Sequence, residues 1–301
     1  MITSPANQHI AFLRSLHAPK GRAEAGAFLI EGPHLLEAAL NARLLPQLIV
    51  YDPDGLERSA AGRRLLGRIE DARAEGVPVY DAAPIALERA CDTRTPQGVA
   101  AALASGDIAP DRLRAARRGR LRPLLLVLDA IRDPGNLGTI LRSALAADVD
   151  EVVLAPGCAD PLAPKVVRAG SGAHFHLPVR SQQTWEQIRD ILRGAPAAKQ
   201  VLLAEAGAAQ SYDAFDLTQR TALIVGNEAH GASPEAERLA TSRVTIPMWN
   251  MVESLNAAIA SSVILFEAAR QRRASEHTKS DHQATTERVG GEPVQGTGAG
   301  D

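Results

Sequence analysis

Leu124-Leu-Leu-Val-Leu128, followed by Asp133-Pro-Gly-Asn-Leu-Gly-Thr-Ile-Leu-Arg142, is the stretch that decides the fold. Five apolar residues bounded by Pro123 and Asp129 leave no polar face, as expected of a strand covered on both sides in a parallel sheet. The block after it reads as a glycine-bearing turn that opens a helix. Further strands of the same kind are expected at Glu151–Leu154, Val201–Ala204 and Ala222–Val225, each separated by a helix or a helix-sized connection. That alternation indicates a parallel α/β domain. Two more blocks interrupt it on its carboxyl side: Gly226-Asn-Glu-Ala-His-Gly231 and Ile246-Pro-Met-Trp-Asn-Met-Val-Glu-Ser-Leu-Asn256. A last helix is expected from about Leu255 to Arg272, with small residues at Ala257, Ala258, Ala260, Ser261 and Ser262 that permit close approach by another segment.

Upstream, residues 4–104 alternate between helix-like and strand-like segments. Ser4-Pro5 predicts a capped helix toward Leu16. A loop over Ala18–Arg22 precedes strands at Ala27–Ile30, Leu48–Tyr51, Val77–Tyr80 and Val99–Leu103, with helices through Leu35–Leu40 and across Ser59–Ala74. The pattern is that of a compact α/β sandwich. Residues 105–122 break it with Arg112, Arg114, Arg117, Arg118, Arg120 and Arg122, a basic linker or a phosphate-contacting arm. From Arg273 onward, Ser, Thr, Gly, Gln and charged residues dominate without any aromatic, which predicts a disordered tail. The expected organisation is therefore 1–104, a linker at 105–122, 123–272, and a tail at 273–301.

Composition sets outer limits. The chain has 301 residues, 45% hydrophobic and 23% charged, with formal net charge −2, so two domains are expected and any nucleic-acid contact must come from a local patch. Cys91 and Cys158 are too few for a disulfide framework or a thiolate zinc site and read as packed or surface thiols. No metal-ligand set is visible. The N-terminus lacks a leader pattern and no apolar stretch approaches a membrane span, so a cytoplasmic protein with no membrane partner is expected.

Each block has a structural reading beside a chemical one. Gly135 and Gly138 invite a dinucleotide-binding reading, but the spacing is not G-x-G-x-x-G, and the next strand ends in Leu154-Ala-Pro-Gly157 with no carboxylate for a ribose diol. Asn136 and Ser254 are each explicable as helix caps, Arg142 as a surface arginine, and Glu228 as an exposed turn carboxylate. Gly226 follows a buried strand at the sheet edge where α/β ligands bind, and a glycine there lets main chain approach a ligand. His230 is not assigned a catalytic role.

In this order, and with Asn136-x-Gly138-x-x-x-Arg142 in the first block, the three blocks resemble the motifs of the SpoU/TrmH branch of the SPOUT methyltransferases. Phe28–Glu37 and Thr93–Gly98 resemble the SpoU substrate-binding domain. The resemblance implies a ribosomal-protein-like α/β sandwich, then a parallel α/β SPOUT domain tied in a deep trefoil knot, a rare exception to unknotted chains. It implies methyl transfer from S-adenosylmethionine to a ribose 2′-hydroxyl of RNA, rRNA favoured over tRNA, by a homodimer. It further implies that Asn136, Arg142, Glu228, Ser254 and Asn256 form the catalytic set. The cofactor would be held near Leu203, Ala204, Gly226, Ile246, Met248 and Leu255. Arg142 is expected to position the hydroxyl or a phosphate rather than act as a base, because guanidinium deprotonation is too costly. Trp249-Asn250 departs from the smaller residues of relatives and leaves the shape of the cofactor slot open. RNA contacts are expected from Lys20, Arg22, Arg114, Arg117, Arg118 and Arg120. The rival readings are a non-catalytic RNA-binding protein on the same fold and a nucleotide-dependent oxidoreductase.

Overall fold

The computed structural model describes residues 1–115, 122–194, 198–227 and 231–289, the stretch 276–289 as backbone alone. Alternation of buried positions builds the first half around one sheet. Strands β1 (Ala27–Glu31), β2 (Leu48–Tyr51), β3 (Val79–Asp81) and β4 (Val99–Ala104) lie in the order β1-β4-β2-β3. β4 runs antiparallel to both neighbours, and β2 and β3 are parallel. Successive β1 side chains point to opposite faces, so Phe28 and Ile30 join one core and Ala27 and Leu29 another. Helices α1 (Gln8–Ser15) and α2 (Pro19–Ala25) precede the sheet; α3 (Pro33–Asn41), α4 (Pro53–Glu57), α5 (Ala60–Ala74) and α6 (Pro84–Ala90) connect its strands. Leu35 and Leu36 of α3 and Leu65 and Ile69 of α5 cover one face, while Ile10 and Leu13 of α1 and Leu87 of α6 cover the other.

Several local expectations change. Asn7, not Ser4, caps α1, its side chain accepting from the His9 N–H at 2.8 Å. The expected loop at Ala18–Arg22 is the start of α2, because Pro19 stands at a first-turn position that needs no N–H. Part of the expected linker is ordered: a 3-10 turn spans Ser105–Ile108 and α7 spans Pro110–Ala115.

The second half is a seven-stranded sheet in the order β7-β6-β5-β10-β8-β11-β9. Its strands are β5 (Leu124–Leu128), β6 (Glu151–Leu154), β7 (Val179–Arg180), β8 (Gln200–Ala204), β9 (Gln210–Ser211), β10 (Thr221–Val225) and β11 (Ser242–Thr245), and every pairing is parallel. Leu124, Leu126 and Leu128 face a core shared with α8 (Pro134–Ala146) and α12 (Ala257–Val289). Leu125 and Val127 face the opposite core with α10 (Trp185–Arg193) and α11 (Pro234–Leu239). Both faces of β5 are thus covered. Where a disordered tail was expected from Arg273, α12 continues past Arg272 to Val289, since no Gly or Pro interrupts the chain before Gly290; residues 290–301 of that tail lie outside the described residues.

The halves share a core. Val167 of α9 (Pro164–Gly170) and Phe175 are 1% and 2% exposed and belong to the apolar cluster of the first half. Side chains buried to this degree contribute about 1.5–3 kcal/mol each. Polar ties reinforce the seam. Arg168 reaches from α9 to Glu31 at 3.1 Å and Asp92 at 2.8 Å, and Glu31 also accepts the Asp92 and Thr93 N–H groups.

Candidate active site

The parallel sheet places the carboxyl ends of its strands along one edge, and the three polar blocks meet there. At the first block, the N-cap of α8 is Asp133, whose Oδ1 accepts from the Asn136 N–H at 2.8 Å. Asn136 is therefore not the cap. Its side-chain Oδ1 instead accepts from Asn256 Nδ2 at 3.1 Å, joining residues 120 apart in sequence. Gly138 serves packing: a Cβ there would lie 2.5 Å from Ala169 Cβ and 2.6 Å from the Val166 carbonyl oxygen, so α8 and α9 come together only over a glycine. Arg142 is exposed and makes no hydrogen bond or ion pair among the described residues. Six residues beyond Asn136, it stands about 9 Å farther along the helix axis.

At the second block, Asn227 and Gly231 form an isolated antiparallel bridge just after β10. Asn227 Nδ2 donates to the Ala130 carbonyl at 2.8 Å, and Asp129, 4% exposed, accepts from the Ser233 N–H at 2.6 Å. Gly226 is required beside this bridge, since a Cβ would lie 2.8 Å from the Gly231 and Ala232 main chain. Glu228 and His230 lie outside the described residues.

The third block turns through two residues with positive φ, Asn250 (57°) and Met251 (60°). The cap of the last helix, a role open to Ser254 in the sequence, is taken by Asn256, whose Oδ1 accepts from the N–H groups of Ala258 at 3.0 Å and Ile259 at 3.3 Å. Asn256 thus caps α12 with its oxygen and reaches Asn136 with its nitrogen. α12 then packs on α8, where Ser262 Oγ lies 2.7 Å from Ser143 Oγ.

A cavity of about 350 Å³ opens between the second and third blocks. Leu203, Ala204, Gly226, Ile246, Met248 and Leu255 all line it, together with Ser254. Trp249 does not line it; its side chain faces solvent, so the bulky turn leaves the slot open. Glu205, Asn227 and Glu237 also line the cavity and were not singled out from the sequence. Position was the available signal: Glu205 directly follows a predicted strand and Asn227 sits inside a motif block. Arg243 bonds Glu205 at 2.7 Å and Glu237 at 3.3 Å, and this pairing, led by Glu205, raises the arginine pKa. Two carboxylates against one guanidinium leave the rim net negative. Among the described residues, no group of three His, Cys, Asp or Glu side chains could hold a metal ion.

The expected RNA cations fare unevenly. Arg22 is corrected outright: it is 6% exposed and donates to the Leu16 and His17 carbonyls and to Asp160, a structural bolt between the halves. Arg114 lies 3.7 Å from the buried Glu151 carboxylate, and Arg112 pairs with Asp107 at 2.7 Å. Lys20 is exposed, 3.7 Å from Glu24. Arg117, Arg118 and Arg120 lie outside the described residues. Cys91 and Cys158 are free thiols, and burial pushes Cys158 up to about 11.

Comparison with known proteins agrees with this architecture. Residues 123–266 match the SpoU rRNA Methylase family, and residues 7–101 match the MRM3-like substrate binding domain. An uncharacterized tRNA/rRNA methyltransferase of Synechocystis is 35% identical over 91% of this chain and 95% of its own length. The 23S rRNA (guanosine(2553)-2′-O)-methyltransferase RlmP of Bacillus subtilis is 31% identical over 88% of this chain and 97% of its own. The crystal structure of the SpoU methyltransferase AviRb from Streptomyces viridochromogenes in complex with the cofactor AdoMet superposes with TM-score 0.74 at 29% identity, covering 89% of this chain and 100% of that one. The fold and site define an α/β RNA methyltransferase. The chain belongs to the SpoU methylase family.

Proposed function

We propose that this protein transfers the methyl group of S-adenosylmethionine to a ribose 2′-hydroxyl of ribosomal RNA. The observation that carries the reading is the Asn136–Asn256 hydrogen bond beside a cavity lined by the second and third blocks, which brings the helix bearing Arg142 to a small-molecule site. The cavity's volume suits such a ligand. Gly226 keeps its wall thin, and a net negative rim at Glu205, Glu237 and Arg243 complements a sulfonium and an ammonium. S-adenosylmethionine, when bound there, supplies an already activated methyl group.

The protein's own task is positioning. A 2′-hydroxyl is a weak nucleophile and must be held in line with the methyl. Arg142, with no partner inside the described protein, is suited to hold the hydroxyl or an adjacent phosphate as a permanent cation. Asn136 and Asn256 brace the two helices, and Ser254 offers a hydroxyl at the cavity wall. Glu228 completes the proposed set.

Ribosomal RNA is favoured by the relatives' names and by the substrate-binding module over residues 7–101. Residues 1–104 would engage RNA and 123–272 would catalyse, in the cytoplasm where ribosomes assemble. We further propose the trefoil knot, supported by the return of α12 onto α8, and a homodimer. The dimer reading rests on exposed Trp249, Met251 and Val252 beside Ile259 and Phe266, the last two seven residues apart on one helix face. Incubation with labelled S-adenosylmethionine and unmodified rRNA should yield a new alkali-resistant ribose linkage; label confined to a base would remove the 2′-O assignment.

A further inference from the structure

A second cavity, of about 550 Å³, lies in the N-terminal half, away from the three blocks. Asp52 lines it. This residue is 8% exposed, yet its carboxylate forms no hydrogen bond or ion pair among the described residues, and although Asp52 precedes α4 its side chain makes no cap hydrogen bond. The carboxylate lines the cavity, and an acceptor-only group in that position is met by water or by a ligand that brings N–H or O–H groups in its place. The motif stretches around Glu31–His34 and Thr93–Gly98 converge on the same cavity. The Gly32 N–H donates to the Val99 carbonyl at 3.0 Å, and a Cβ on Gly32 would lie 2.9 Å from Gln97 Oε1. Exposed His34 and Gln97 stand at the cavity with the rings of Pro33, Pro84 and Pro96, and exposed Arg58 forms no ion pair among the described residues.

We infer that this cavity is a guanine-reading subsite for an unstacked nucleotide of the RNA substrate, with Asp52 accepting from the base; the inference rests on the RNA reading above. The choice of base follows from donor geometry. Guanine presents N1–H and N2–H side by side, two donors matched to the two oxygens of one carboxylate. Adenine and cytosine each place a ring acceptor beside their amino group, and uracil flanks its single N–H with two carbonyls, so each sets a lone pair against the carboxylate. The imidazole of His34 and the proline rings offer flat surfaces for a splayed base, the usual mode of single-strand RNA recognition. A phosphate cannot be the buried group, because Asp52 and Glu88 would repel it; Arg58 supplies a cation for the backbone at the mouth.

The test uses the full-length protein and three fluorescent oligouridylates, each with one central guanosine, inosine or adenosine. Guanosine should bind about tenfold tighter than inosine, which lacks only the N2 amino group, and tighter than adenosine by at least as much. Asp52→Asn should erase the guanosine preference while S-adenosylmethionine affinity and thermal midpoint stay at wild-type values. Equal affinity of the wild-type protein for all three, or a preference that survives in Asp52→Asn, overturns the subsite; the wild-type ratio decides this even if the variant does not fold. If that happens while rRNA is still methylated, the subsite alone fails. If the protein neither methylates nor binds any RNA, the functional reading fails first.

Discussion

The two sheets solve the same burial problem and distribute chemistry differently. In the N-terminal sheet, β4 runs against both neighbours, so connections emerge at both ends and polar loops are divided between them. The C-terminal sheet is parallel throughout, so its strand-to-helix loops fall along one edge, and residues as far apart as Asn136 and Asn256 come into contact there. The lining differs as well. The C-terminal cavity is walled mostly by glycine, alanine and aliphatic residues with main chain between them, suited to a ligand held by shape and backbone. The N-terminal cavity presents an unpaired carboxylate and is suited to reading a hydrogen-bonding edge. Strand direction thus sets which segments of the chain meet at each sheet edge.

The sharpest way to break this contrast is at Arg142. Arg142→Ala should lower methyl transfer by about a hundredfold or more, the scale of losing one well-placed polar group in a reacting site, while S-adenosylmethionine affinity by calorimetry stays near wild type. Turnover close to wild type would remove Arg142 from the mechanism and leave the exposed guanidinium as surface decoration.

Gly138→Ala tests the packing beneath the catalytic edge. A Cβ 2.6 Å from the Val166 carbonyl oxygen must separate α8 from α9, and a loss of about 3 kcal/mol in denaturant unfolding is expected. An unchanged midpoint would show that α9 can move aside.

Arg168→Met asks whether the halves are held by polar ties or by apolar contact. The variant keeps a long side chain but leaves Glu31, whose side chain is 4% exposed, with only its backbone donors. A decrease of about 1–3 kcal/mol is expected. Retained stability would assign the seam to Val167 and Phe175 alone.

A last test concerns His174. Burial lowers its pKa from 6.5 to about 4; its Nε2 bonds the Pro161 carbonyl at 2.8 Å, and Nδ1 has no partner among the described residues. The folded protein keeps this ring neutral to about pH 4, whereas the unfolded chain takes up a proton near 6.5. The unfolded state therefore binds more protons between those values, and stability should fall as pH drops through that window, by up to about 1.4 kcal/mol per pH unit. Replacement by Gln should flatten that part of the stability profile; an unaltered slope would assign the acid loss to other groups.

Apolar runs and block order made the parallel strands, the three-block site and the family resemblance legible in the linear chain. Both depend on short-range patterning: a strand buried on two faces must be apolar throughout, and a backbone-lined turn must contain glycine. Side-chain partners were not legible, because they depend on what arrives from elsewhere in the chain. Arg22 reads as one more surface cation, yet Asp160, 138 residues away, and the Leu16 and His17 carbonyls bury it. Asn136, Ser254 and Asn256 all have the chemistry of a cap; spatial competition gave those roles to Asp133 and Asn256 and directed the Asn136 side chain to a third partner. Asp52 could not be told from any loop aspartate until the fold set it in a cavity wall without a protein donor among the described residues. Sequence alone determined where the strands lie and which blocks carry chemistry, since periodicity and glycine placement are local constraints. Only the tertiary structure decided which polar groups are spent on holding the protein together and which remain to meet a ligand, because hydrogen-bond satisfaction is settled by three-dimensional proximity.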